Sequence, residues 1–279
     1  MSKDKYEGWG YNIKIAEIPG IADHTWVNCP GHGKFACWGG TSGTNNRKFV
    51  TGSGSNYKVS NCYRKSWKDH PDTAGILYAV NGLCHQTANL FMYPSRTVLN
   101  LKVRGYWFSV ATYGVHGALV PGGGQLPFFL GWLAAVYNPC YQKHKLAEAD
   151  AEAEDADPIY ARLEAMYARH GAADSANIRT VLAEELAIVT ELQGPDIKYS
   201  TYEDLHQELM AAREGALSKG ARGRELAELV NAGVYRFQDG LSSRLDAQAY
   251  TGLTGLAPGE HLAIVDPEIA ERTKDMEAR

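Results

Sequence analysis

The sequence predicts an α+β module over residues 1–142 and an all-helical region over residues 158–279, joined by an acidic, Ala-rich linker or helix at 143–157. Three observations carry this reading. All five Cys and all six Trp lie before residue 142. Charge reverses at the same place: residues 1–142 hold 13 Lys/Arg against 6 Asp/Glu, a net of +7, and residues 143–279 hold 15 against 26, a net of −11. Hydrophobic spacing changes too, from short β-prone runs between turn signals to apolar residues at three- and four-residue intervals.

The elements follow in order. His24 to Cys29 (HTWVNC) reads as a strand, Pro30 to Gly33 as a turn, and Lys34 to Trp38 as the returning strand of a hairpin. Glycine-rich turns are expected at Gly39-Gly40, Gly52 to Gly54 and Gly122 to Gly124. Ile76 to Val80 reads as a buried strand, Asn81-Gly82 as a turn, and Cys84 as the start of a helix that Tyr93-Pro94 ends. Leu83, Ala88, Phe91 and Met92 fall near one face of it. Thr97 to Val103 and Tyr106 to Tyr113 then read as two further strands.

Beyond the seam, helices are expected over Pro158 to Arg169, Ala176 to Leu192, Ser200 to Glu214 and Arg224 to Leu245. Breaks fall at His170-Gly171, Gly194-Pro195 and Gly220 to Gly223. Thr201 with Asp204 has the outline of a capping box. The closing APGEHLAIVDPEIAERT reads as a strand or loop packed back on the rest, followed by a short helix.

Composition excludes several classes. With 44% apolar and 22% charged residues, the 279-residue chain has the balance of a folded protein, long enough for one large domain or two modest ones. The longest apolar stretch, Leu126 to Cys140, contains two prolines and falls short of a bilayer span. The N-terminal MSKDKYEGWGYNIK has no apolar core of a signal peptide, and an odd number of cysteines without an export signal predicts reduced thiols in a cytoplasm. A net charge of −4 argues against a general nucleic-acid binder. Thr51-Gly52-Ser53-Gly54-Ser55 lacks the Lys-Ser/Thr of a phosphate loop.

The chemistry concentrates in Ile76 to Tyr93 (ILYAVNGLCHQTANLFMY). It puts Cys84 on the first turn of a helix, where orphan N–H groups and the helix dipole stabilise a thiolate. A buried cysteine opening a core helix is the competing reading, and the polar run His85-Gln86-Thr87 favours a site. A thiol nucleophile needs a base close in space. Successive helical positions diverge by about 100°, so His85 does not face Cys84. His24, opening its strand beside Asp23, and His116, after Tyr113-Gly114-Val115, are the candidates. Trp38, Gly39 and Gly40 behind the hairpin, with Gln86 and Asn89 on the Cys84 helix, are the candidate substrate-binding residues.

A strand-opening His24 with Trp26 two residues on, followed by a helix led by Cys84, resembles the circularly permuted papain-like superfamily. Its lecithin:retinol acyltransferase-like members place histidine before cysteine. Cys84 followed by His116 resembles instead the transglutaminase-like branch, where the cysteine helix precedes a strand pair of the type Lys102-Val103-Arg104-Gly105-Tyr106. The resemblance covers about residues 20–140. The aspartate that the transglutaminase-like order requires after His116 is missing, because no Asp or Glu occurs between Asp72 and Glu148, which turns the choice toward His24. Asn138 would serve as the orienting group only in a Cys-His-Asn order.

The resemblance implies a papain-like first module that attacks an amide, ester or thioester carbonyl through a thioester intermediate. Hydrolysis or acyl transfer would follow, on a substrate such as a peptide or a carrier-linked acyl group. It implies no cofactor. The rival is a zinc-binding interaction module on His24, Cys29, His32 and Cys37, whose spacing lacks a paired C-x2-C knuckle. A helical adaptor that docks another chain is the third reading.

Overall fold

Strand pairing in the first half and helix packing in the second are both seen in a computed structural model of the chain. It describes residues 4–12, 23–29, 33–35, 47–54, 84–92, 105–115, 158–170, 177–193 and 196–273. Four strands, β1 (Asp4–Asn12), β2 (Asp23–Cys29), β3 (Gly33–Phe35) and β4 (Arg47–Gly54), form one sheet in the order β3-β2-β1-β4. Every pairing is antiparallel.

The expected hairpin is present as β2 and β3, with Val27 opposite Phe35 and Cys29 opposite Gly33. On β1 and β2 the indoles of Trp9 and Trp26 lie opposite each other and stack, centroids 5.4 Å apart. The Lys34 ammonium sits 5.0 Å over the Trp26 ring. Buried Glu7 accepts hydrogen bonds from Trp9 Nε1 at 3.2 Å and from Asn28 Nδ2 at 2.9 Å, so cross-strand contacts pin the register. Gly52 to Gly54, expected as a turn, instead end strand β4, paired with Tyr6, Lys5 and Asp4 of β1. Their backbone amides suit a ladder as well as a turn, and β1 supplies the partner.

Helix α1 (Cys84–Met92) starts at Cys84, as the sequence predicts, and packs on β2. The strand expected over Tyr106 to Tyr113 is helix α2 (Tyr106–Tyr113). Its sequence, YWFSVATY, is rich in aromatic and β-branched residues, and all eight are buried, so no polar face gives away a helical period. Glycines bound it. Gly105 sits at its N-cap with φ 75°, and Gly114 at its C-cap with φ 81° and ψ 175°, a combination essentially closed to other residues. Thr112 Oγ1 bonds back to the Phe108 carbonyl at 2.9 Å, which removes the hydroxyl's competition with the helix.

The helices beyond the seam are α3 (Pro158–His170), α4 (Ile178–Gln193), α5 (Glu203–Ser218), α6 (Gly223–Arg244), α7 (Ala247–Thr254) and α8 (Pro267–Thr273), with a 3-10 turn at Tyr199–Thr201. The expected Thr201/Asp204 capping box is absent: Tyr202 occupies the N-cap of α5, and Asp204 pairs with Arg244 at 2.5 Å. A bidentate guanidinium offers that carboxylate more than a single backbone N–H does. The closing segment packs back as a buried loop, Leu262 to Val265, fixed by Asn231 and Gln238 of α6, and leads into α8.

Helix α2 is the centre of this packing. Trp107 stacks on Phe237 of α6 at 5.4 Å and meets Tyr202 edge-on at 5.5 Å. His206 of α5 hydrogen-bonds the Ala111 carbonyl at 2.8 Å. The Arg213 guanidinium lies 5.6 Å from the Tyr113 ring centre. One apolar cluster runs from Val27 through α1 and α2 to Ala270, so the composition break at residue 142 is not a break in the core. Among the described residues no helix is long and apolar enough to cross a membrane.

Candidate active site

Cys84 is the first residue of α1, and its side chain is not among those described. At about 100° per residue, position 84 falls within about 40° of Ala88 and about 140–160° from Gln86 and Asn89. Ala88 and Met92 are buried in the cluster that contains Val27 of β2. The opposite side of α1 is occupied by two buried amides, 2% and 0% exposed.

Gln86 Nε2 donates to the Gly114 carbonyl at 2.8 Å and exchanges hydrogen bonds with the Ser109 hydroxyl. Asn89 Nδ2 donates to the Val115 carbonyl at 2.8 Å and to Tyr106 Oη at 3.2 Å. These two residues, expected to bind substrate, hold α2 and its C-terminal cap against α1. His85 meets Tyr106 edge-on with centroids 5.7 Å apart, away from the sector of position 84.

The other predicted residues distribute as follows. His24 is the second residue of β2, paired with Tyr11 of β1, and its side chain is not described. His116, one residue beyond the described Val115, lies outside the described residues, as do Trp38, Gly39, Gly40 and Asn138. Of the rival zinc ligands, His32 and Cys37 lie outside them, and Cys29 closes β2. Among the described residues no three His, Cys, Asp or Glu side chains gather as a metal site. The strand pair expected over Lys102 to Tyr106 does not extend to Tyr106, which opens a helix after a left-handed Gly105.

Glu185 of α4 went unnoticed in the sequence. It is 3% exposed, and its Oε2 accepts the Val115 N–H at 2.8 Å. No local pattern marks it, because its partner is 70 residues earlier. A separate groove of about 400 Å³ runs between α4 and α5, lined by residues including Ala183, Tyr199, His206 and Met210. There the Nε2–H of His206 donates to Ala111, so its Nδ1 accepts from the Tyr199 hydroxyl at 2.8 Å. Burial holds the His206 imidazole neutral, down to about 4, against a smaller upward pull from the Ala111 carbonyl. Burial, with the Glu203 charge adding, pushes Tyr199 up to about 12.

Comparison with models of known families, with curated proteins and with solved structures finds no match to this chain.

Proposed function

We propose that the chain is a cysteine-dependent hydrolase or acyltransferase of the papain-like kind, acting on an amide, ester or thioester carbonyl. The observation that carries it is a helix whose first residue is Cys84, packed on β2 of the sheet. Helix N-terminal N–H groups and the macrodipole favour a thiolate at position 84 and an oxyanion beside it. The clamp of Gln86 and Asn89 on the far side of α1 supports the same reading, since it leaves the sector of position 84 for the sheet.

In this reading a histidine takes the Cys84 proton and the thiolate adds to the carbonyl carbon. The tetrahedral intermediate then expels the leaving group, which takes the proton from that histidine, and leaves a thioester. Water attacks the thioester in a hydrolase, and an amine or alcohol in a transferase. Strand alternation places position 24 with Trp26 and Asn28 on the face of β2 opposite Val27, which shares a cluster with Ala88 and Met92 of α1, so the base in this reading is His116. Cytoplasmic, cofactor-free action belongs to the same proposal.

Labelling with limiting iodoacetamide at neutral pH, read by mass spectrometry over all five cysteines, tests it. Cys84 should react fastest, and Cys84→Ala should abolish release of p-nitrophenol from p-nitrophenyl acetate. A Cys84 that reacts no faster than Cys29 or Cys62 refutes the nucleophile.

A further inference from the structure

We infer that Glu185 is a positioning residue for Cys84, through which the C-terminal helical region sets the rotation of the cysteine helix. The inference rests on the proposed nucleophile and adds a part of the chain which that proposal does not use.

The connection runs through a single residue. The Val115 N–H donates to Glu185 Oε2 at 2.8 Å, and the Val115 carbonyl accepts from Asn89 Nδ2 at 2.8 Å. One fully buried residue is thus gripped by α4 on one side and by α1 on the other. The preceding residue makes the approach feasible. A Cβ on Gly114 would lie 2.3 Å from Glu185 Oε2, and Gly114 also gives its carbonyl to Gln86 of α1. Gln86 and Asn89 are three residues apart on the face of α1 turned away from position 84, so the pair fixes the helix in rotation as well as depth. A backbone N–H this deeply buried is costly to leave without its acceptor, so the Glu185 carboxyl oxygen is a strong constraint on it. Loss of Glu185 frees the 114–115 unit and its contact to Gln86, then the Val115 carbonyl held by Asn89, then the rotation of α1 that carries position 84.

The test uses the full chain, with iodoacetamide as the probe and two readouts: hydrogen–deuterium exchange, and the pH profile of Cys84 alkylation. Glu185→Ala should speed exchange of the Val115 and α1 amides by about tenfold, the scale of a lost buried acceptor. It should also move the alkylation midpoint toward about 8.5, the value of an ordinary thiol. Glu185→Gln keeps an acceptor oxygen and should restore both. Should Glu185→Ala not fold, Asn89→Leu removes the other grip and should give the same two changes. A low wild-type midpoint that neither variant moves overturns the inference and leaves the nucleophile standing. An ordinary wild-type midpoint overturns both.

Discussion

His206 makes the fold acid-sensitive by an amount the geometry sets. Its ring is 1% exposed, bridges the Ala111 carbonyl and the Tyr199 hydroxyl, and stays neutral down to about pH 4, against 6.5 for a free imidazole. Protonation would turn Nδ1 into a donor facing the Tyr199 hydroxyl and place a charge in the core. The folded value is depressed, so this stability is full above pH 6.5. As pH falls below 6.5 the unfolded chain binds a proton that the folded one refuses, and stability drops until about pH 4. That interval corresponds to about 3 kcal/mol, at about 1.4 kcal/mol per pH unit. Urea unfolding of the wild type and of His206→Gln, measured every half unit from pH 7.5 to 4, isolates it. Asp204, drawn down to about 2 chiefly by its hydrogen bonds to Arg244, acts on both proteins alike and cancels in the difference. The wild type should lose about 3 kcal/mol more than the variant. A difference that stays flat with pH refutes the reasoning.

Other outcomes follow from single contacts. Gly114→Ala should destabilise by at least about 3 kcal/mol in thermal melts, since φ 81° with ψ 175° excludes a side chain and Glu185 blocks the space. Asp246 caps α7 by accepting the Ala249 N–H at 2.8 Å, so Asp246→Ala should cost about 1 kcal/mol without touching thiol reactivity. His116→Ala should slow p-nitrophenyl acetate turnover about 10²–10⁴-fold while His24→Ala, at a position on the far face of β2, slows it far less; the reverse ranking would establish His24 as the base.

Local signals made some of this legible. The hairpin announced itself through Pro30-Gly31 between two apolar runs, and α1 through the turn before Cys84 and the proline after Tyr93. Amphipathic spacing located α3 to α6 to within a few residues, with Gly220 (φ 74°) and Gly223 (φ 54°) at the break before α6. β1 and β4 were hidden because Gly8, Gly10, Gly52 and Gly54 dilute the two-residue alternation, and strands of that kind are specified by their neighbours. α2 was hidden by its own burial. That one misreading also concealed what Gln86 and Asn89 do, since their partners Ser109, Gly114, Tyr106 and Val115 lie in or just after α2. Polar residues beside a cysteine look the same in sequence whether they face a substrate or a backbone carbonyl.

The central position of α2 decides how the chain divides. Composition suggests that residues 143–279 form a unit of their own, yet Trp107 and Phe108, both 0% exposed, pack against Tyr202 and Phe237 beyond the seam. Two such rings bury about 150–250 Å² each, and at about 25 cal/mol per Å² they contribute about 10 kcal/mol together as an upper bound. A domain's whole stability is about 5–15 kcal/mol, so a fragment without α2 loses an amount comparable to everything that holds it together. The fragment 143–279 should therefore keep a helical far-UV spectrum from its amphipathic segments. It should lack a near-UV signal, bind a hydrophobic dye, and melt without a cooperative transition. A fragment starting at residue 104 restores α2 and should recover the transition at least in part. If residues 143–279 unfold cooperatively on their own, α2 is an accessory to a self-sufficient helical domain, and the seam in composition marks a real structural boundary.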